Sequence, residues 1–405
     1  MLPVLIKVKD FLGLKRNVVL LLVLIILILT GEKIWERFIP KYLEGIGGSL
    51  IIIGGFGFLQ NILAAFWSLP GGYIADIIGN KKAFLVFNLM AIGGYVIAII
   101  FTNWIAIFIG MLFFSAWNAI SLPASMSLII KTLGTKKTAM GISMHSIIRR
   151  FPMMIGPVIG GVLITSLGLV QGIKAGFAIS ILLCAAGIFF QQKMISDGAA
   201  AIEKLHPAAL WKRFDPKLKN LLVSDILIRF CEQIPYVFVV IWCLDLVMVS
   251  PEQFGILTAI EMMTAALIYI PVASFSDRLE RKPFVVITFI FFTLFPIFLY
   301  FSRSYLLLIF AFVIRGLKEF GEPTRKAMIL DLSVKDAEAR TFGLYYFMRD
   351  FVVSFAAFIG GFLWMADPSL NLFTAAAAGA AGTIFFALFG KGTEKGILIK
   401  NQNRP

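Results

Sequence analysis

The sequence predicts an all-α polytopic membrane protein, with about twelve transmembrane helices in two pseudo-symmetric six-helix bundles. Three observations carry that expectation: the composition, the spacing of the apolar runs and an internal repeat. Of the 405 residues, 59% are apolar and only 15% are charged, with a mean hydropathy of +0.91; a soluble domain carries about 25% charged residues. Forty Phe and 35 Gly suit helices packed in lipid, where aromatics meet acyl chains and small residues let backbones approach.

A helix needs roughly 20 apolar residues to cross a bilayer. Along the chain that window selects 18–39, 49–72, 83–101, 105–130, 141–166 and 173–191, then 221–247, 254–275, 284–301, 305–329, 343–365 and 371–390. The runs are continuous rather than alternating, which argues against strands. The first opens on Lys15-Arg16 like a secretory signal, yet no small-residue cleavage site follows and GEKIWER continues the helix. It reads as a retained first span. The polar stretch 192–219, through His206-Pro207 and Asp215-Pro216, reads as a cytoplasmic linker with room for a short surface helix. It separates an N-terminal bundle, 1–191, from a C-terminal bundle, 220–405.

The repeat ties the halves together. GYIADIIGNKK and ASFSDRLERKP place Asp76 and Asp277 201 residues apart. Pro123 and Pro323 are 200 apart, as are Gly160-Gly161 and Gly360-Gly361, while Gly141 and Gly343 differ by 202. Four matches at nearly constant offset indicate a duplicated six-helix unit.

The formal charge of +14 is distributed in a way that excludes nucleic acid as a partner. Lys and Arg crowd alternate connections (Lys81 and Lys82; Lys136 and Lys137; Lys204 to Lys219; Arg278, Arg281 and Lys282; Lys391 and Lys395), while those between hold little beyond Lys41, Lys174 and Arg303. This positive-inside alternation places both termini and the linker in the cytoplasm; the membrane expected is a bacterial or archaeal inner membrane. Cys184, Cys231 and Cys243 fall within apolar runs and are expected as reduced, packed thiols.

One motif points to a family. A Gly-x-x-x-Asp-Arg/Lys-x-Gly-Arg/Lys-Arg/Lys loop between the second and third helices is the signature of the major facilitator superfamily, and Gly72, Asp76, Gly79, Lys81 and Lys82 supply it here. Ile77 and Asn80 stand where basic residues are usual; the second copy keeps Asp277, Arg278, Arg281 and Lys282 with Glu280 in place of glycine. The glycines allow a tight turn and close helix approach, and the resemblance implies a gate in which the aspartate faces a helix N-terminus of the other half. GPVIGG, with Gly156, Pro157, Gly160 and Gly161, resembles the second half of the motif of the superfamily's antiporters, a helix-bending and close-packing element. Arg315-Gly316-Leu317 is loosely similar to the superfamily's Arg-containing motif; the aligned first-half segment has Ser115, Trp117 and Asn118.

Function is expected where ionisable side chains interrupt the apolar runs. The first segment carries Glu32, Lys33, Glu36 and Arg37; the fifth Arg149 and Arg150; the seventh Asp225, Arg229 and Glu232; the eighth Glu261; the tenth Arg315, Lys318, Glu319 and Glu322; the eleventh Arg349 and Asp350. Facing lipid, each would cost roughly 2.5–3.5 kcal/mol near the bilayer centre, so together they would overwhelm a stability of about 5–15 kcal/mol. They are expected to face a wet cavity or one another. Asp225, Arg229 and Glu232 follow i, i+4, i+7 on one helix face, and by a 1.5 Å rise Glu232 and Arg315 fall within about 3 Å of their helix midpoints. The set holds eight acids and eight bases, which suits a polar or zwitterionic solute, or ion pairs that break and re-form. Glu32, Glu232 and Glu261 are the proton-carrier candidates. Gln60 and Asn61 are candidate solute contacts, Gln60 lying 201 before Glu261, and His145 is a candidate shuttle.

The resemblance implies a secondary active transporter of small molecules that rocks two bundles about a central site, exporting its solute against an inward proton flow. Import of a polar or zwitterionic solute by symport or uniport stays open, as does a transport-dead receptor. An intramembrane enzyme is disfavoured, since metal-ligand spacing, nucleophile motifs and a nucleotide-binding loop are absent from the sequence. No cofactor is expected. The partners are the solute, protons and the bilayer, with the chain acting as a monomer.

Overall fold

The structure, a computed structural model, describes residues 16–115, 117, 138–193, 207–276, 280–334 and 338–390. The helices are α1 (Arg16–Trp35), α2 (Ile39–Gly45), α3 (Leu50–Ile78), α4 (Asn80–Ile100), α5 (Trp104–Ser115), α6 (Thr138–Leu167) and α7 (Leu169–Gln192). They continue with α8 (Pro207–Lys212), α9 (Pro216–Tyr236), α10 (Val239–Leu246), α11 (Pro251–Ser276) and α12 (Arg281–Phe301). The last four are α13 (Tyr305–Leu317), α14 (Glu322–Asp331), α15 (Glu338–Ala366) and α16 (Pro368–Phe389). Among the described residues eight helices are long and apolar enough to cross a membrane, and α9 with α10 forms a ninth span bent by 44°. Sequence cues start several of them. Asp215 and Asp367 cap α9 and α16, each accepting from backbone N–H groups ahead of a proline at the first helical position. Gly79, at φ 80° between α3 and α4, holds a left-handed turn that a side chain would strain.

The burial pattern is that of a bilayer protein. Leu182, Leu267 and Leu388 are about 70% exposed on helix surfaces, whereas Asp225, Glu261, Arg315 and Arg325 are at most 2% exposed. Apolar side chains face outward and charges inward, as hydrocarbon solvent demands.

The chain forms two compact units. Unit 1 comprises Met1–Ser49, Ile62–Glu203 and Ser250–Ala259; unit 2 comprises Leu50–Asn61, Lys204–Val249 and Ile260–Pro405. In unit 1, α1 packs on α6 and α7, and α4 on α7; in unit 2, α9 packs on α15 and α16, and α12 on α16. The duplication repeats down to single atoms. A Cβ added to Gly160 would overlap the carbonyl oxygen of Ile34, and one added to Gly360 would overlap that of Ile234; both pairs are related by an offset of 200. Unit 1 is centred on Trp35, ringed by Tyr95, Phe114 and Phe177 at 4.9–5.7 Å between centroids. Its indole Nε1 donates to Ser180 Oγ at 3.0 Å. Cys184, Cys231 and Cys243 are buried thiols.

Three segments differ from the sequence reading. The first span tightens into a single 3-10 turn, Glu36–Phe38, and continues as α2, so it runs past residue 39 to Gly45. The segment 305–329 is two helices, because the chain turns at 318–321, where Gly321 approaches the Phe284 carbonyl too closely for a Cβ. Leu210, Phe214 and Leu218 are buried in the unit 2 core with Trp211 packed against it, so the C-terminal part of the 192–219 stretch is packed rather than solvated. Of the segment 105–130, only α5 and Trp117 lie within the described residues.

Candidate functional site

Unit 2 encloses a continuous chain of paired charges. α9 supplies Asp225, Arg229 and Glu232 from one face, since residues three and four apart stack along a helix. At one end Arg315 Nε lies 3.3 Å from Glu261 Oε1 on α11, and its guanidinium sits over Phe295 at 4.8 Å. Lys318, just past the end of α13, lies 3.5 Å from Glu261 and donates to Glu232 Oε1 at 2.7 Å. Arg229 Nη1 donates to Glu232 Oε2 at 2.6 Å and approaches Glu322 at 3.6 Å. Arg325 then grips Glu322 through Nε and Nη2 at 3.0 and 2.7 Å, a bidentate geometry that arginine alone provides, and also pairs with Asp225. Asp225 Oδ2 further accepts from Tyr345 Oη at 3.1 Å and from Arg349 at 3.4 Å. Arg349 ends the chain on Asp350 at 2.7 Å and lies over Tyr346 at 4.2 Å.

The order of charges is Arg315, Glu261, Lys318, Glu232, Arg229, Glu322, Arg325, Asp225, Arg349, Asp350. Five cations alternate with five carboxylates. Buried charges survive only when paired and hydrogen-bonded, and alternation supplies every member between the two ends with an opposite neighbour on both sides. Accessibility is uneven: the side chains of Arg229 and Glu232 keep 18% and 11% exposure, against 3% and 0% for Arg315 and Glu261.

The remaining predicted residues are placed as follows. Glu319 is half-buried in the Lys318–Gly321 turn. Asn61, in unit 2, donates to Gln233 Oε1 and to the Gly57 carbonyl, each at 3.0 Å, and Gln60 is half-buried beside it. In unit 1, Glu32 is 5% exposed; Lys33 Nζ pairs with it at 3.0 Å and also with Glu36. Arg149 is in electrostatic reach of Glu32. Glu32 and Arg149 precede Glu232 and Arg349 by 200 residues each, so unit 1 retains two positions of the unit 2 chain. Asn118 lies outside the described residues, as do Asp277 and Arg278; His145 falls within α6, and Gly72 and Asp76 in the last turns of α3.

Lys81 ties the signature loop to α7, donating to the Gln192 carbonyl at 2.7 Å, while Gln191 Nε2 donates to the Lys81 carbonyl at 2.5 Å. In unit 2, Lys282 donates to the Ala387 carbonyl near the end of α16 at 2.8 Å. Both lysines serve helix C-termini, where unpaired carbonyls and the helix dipole favour a cation; Lys82 is exposed. The GPVIGG segment is a packing face. Gly156 meets Lys33, Gly160 meets Ile34, and Gly161 meets Pro251 and Glu252, all within unit 1, while α6 runs as one helix through Pro157.

The sequence reading missed Arg325, Tyr345 and Tyr346. Arg325 extends the face of Arg315, Lys318 and Glu322 by one more turn at i+3, a signal that continuing the same count would have found.

A paired, buried charge chain inside an inside-out helical bundle defines a class: integral membrane proteins that move polar cargo. The sequence profile described as the Major Facilitator Superfamily matches residues 21–220 and again 221–404, and the chain belongs to that superfamily. It is a multispan membrane protein and a secondary transporter of small molecules, not an enzyme. An uncharacterized MFS-type transporter of Methanocaldococcus jannaschii is 25% identical over 354 residues, covering 82% of this chain and 84% of that protein. The crystal structure of the nucleoside transporter NupG matches with a TM-score of 0.78 at 14% identity, covering 93% of this chain and all of that one. A POT family transporter in complex with 5-aminolevulinic acid matches with 0.76 at 12% identity, covering 93% and 96%. At these identities the structures show the shared fold.

Proposed function

We propose that this transporter is proton-coupled, works by alternating access, and uses the alternating charge chain of unit 2 as its coupling device. The observation that carries the reading is the position of Glu232. One carboxylate holds two cations, so one proton on it removes the closest acceptor of both Arg229 and Lys318, which are left with Glu322 at 3.6 Å and Glu261 at 3.5 Å, and the chain must re-pair. That is a large local change in electrostatics from a single binding event, as coupling requires. Both termini lie on the cytoplasmic side of a bacterial or archaeal membrane, and the chain acts as a monomer.

Two directions have support. The likeness of GPVIGG to the antiporter motif supports export of solute in exchange for protons. The balance of five acids against five bases supports import of a polar or zwitterionic solute together with protons. The test is solute flux in proteoliposomes under an imposed pH gradient, with Glu232→Gln and Arg315→Ala alongside wild type. Accumulation on the acidic side indicates exchange, and accumulation on the alkaline side indicates co-transport. A flux indifferent to the gradient and to both substitutions removes the proposal.

A further inference from the structure

We propose that Arg229 and Lys318 form a carboxylate-binding site whose resident occupant is Glu232, and that the transported solute carries a carboxylate which replaces Glu232 when that side chain is protonated. The inference rests on the proton-coupled reading and selects co-transport over exchange. The geometry is that of a two-point carboxylate clamp: Oε2 accepts from Arg229 at 2.6 Å and Oε1 from Lys318 at 2.7 Å, one cation to each oxygen. The other carboxylates near these cations stand at 3.5 to 4.0 Å, with Glu261 toward Lys318 and Glu322 and Asp225 toward Arg229. Only Glu232 is at charge-assisted hydrogen-bonding distance from both.

Protonating Glu232 leaves two cations, each largely out of water, without their close acceptor, a costly state unless another anion arrives. A cationic solute gains nothing there, because it would have to expel both resident cations first. A carboxylate gains both bonds at once. Proton and solute therefore bind cooperatively rather than in competition, and the pair is electroneutral for a monocarboxylate. Arg229 and Glu232 are also the most exposed members of the buried run from Arg315 to Arg349. The Phe292 ring lies 5.3 Å from the Arg229 guanidinium and 5.6 Å from Lys318 Nζ, an apolar wall beside the clamp. Of the helices packed around α9, α16 contains no ionisable residue, α12 carries Arg281 and Lys282 in its first turn and Tyr300 in its last, and α15 brings Tyr345, Tyr346, Arg349 and Asp350, of which Arg349 adds a further positive charge in electrostatic reach of Arg229.

The experiment uses purified full-length protein and formate as the probe, with chloride and sulfate at matched ionic strength. Unfolding midpoints are read from mildly alkaline to mildly acidic buffer. Glu232→Gln, which keeps the volume and removes the charge, is expected to be stabilised by formate by a few degrees at every pH, and by chloride not at all. Wild type is expected to acquire the formate response only on acidification, and to take up about one proton per formate bound in weakly buffered solution, a measurement that needs no variant. Formate stabilisation of wild type independent of pH, with no proton uptake, overturns the replacement. Equal responses to formate and sulfate overturn the carboxylate class. Absence of any formate-specific response in either protein overturns the site, while a pH-driven flux that persists would leave proton coupling standing.

Discussion

Lys318 Nζ lies 2.7 Å from the Glu232 carboxylate across 86 residues of sequence, and 3.5 Å from Glu261 on a third element. Arg315 and Arg229 each attend one of these acids, so Lys318 is the cation the two share. Lys318→Met therefore removes one of two cations from each of two buried carboxylates. The expected loss is about 3–5 kcal/mol of stability, read as a lowered unfolding midpoint in detergent, with Lys318→Arg recovering most of it. Equal midpoints for wild type and Lys318→Met would mean the pairs carry no net stability.

Asp225 is the other hub. Tyr345→Phe removes one hydrogen bond to a buried carboxylate and is expected to cost about 1.5–3 kcal/mol. A double-mutant cycle on Asp225→Asn and Arg325→Met should return a coupling of about 0.5–3 kcal/mol; strict additivity would contradict the contact.

The glycine contacts predict paired effects in the two halves. Gly160→Ala and Gly360→Ala each drive a methyl into a backbone carbonyl and should destabilise by about 1–3 kcal/mol or more. Gly93→Ala, where a Cβ meets nothing within 4 Å, should be neutral or slightly stabilising, because a helical glycine is entropically costly. Thermal unfolding of the three variants side by side decides it.

The helix-end lysines predict a smaller effect. Lys81→Gln and Lys282→Gln each remove a cation from a helix C-terminus and should cost about 0.3–1 kcal/mol, less at high salt. A salt-independent loss would point to packing of the side-chain stem instead.

Asp367, in the connection before α16, supplies a pH dependence. Hydrogen bonds from the Ser369 side chain and from backbone N–H groups hold its carboxyl below the ordinary range. A depressed folded-state value means that the stabilisation is complete above the unfolded value and fades as pH falls through the folded one. Asp367→Asn should flatten the acid limb of the unfolding midpoint against pH without changing the neutral plateau by much; an unchanged acid limb would refute the cap.

Much of this architecture was legible in the sequence. The apolar runs place most spans to within a few residues, because lipid forces long uninterrupted helices. The offset of 200 foretells the twin contacts of Gly160 and Gly360, and the i, i+4, i+7 spacing puts Asp225, Arg229 and Glu232 on one face. What was hidden depends on pairing across helices. Arg325 lies near the end of its apolar run and resembles a snorkelling terminal cation until Asp225 and Glu322 are seen on either side. Tyr345 reads as one more lipid-facing aromatic. The interruption at 318–321 is lost in any window that averages hydropathy over a whole span, although Gly321 and Pro323 mark it locally.

The equal numbers of acids and bases in the unit 2 chain have an electrical meaning. Carrying one elementary charge across a membrane held at 100 mV involves about 2.3 kcal/mol, and ten charges of one sign would lock the protein in place by voltage. Five against five sum to zero, so displacement of the empty chain through the field does almost no electrical work. Any current measured during turnover then reports the bound cargo rather than the protein that carries it.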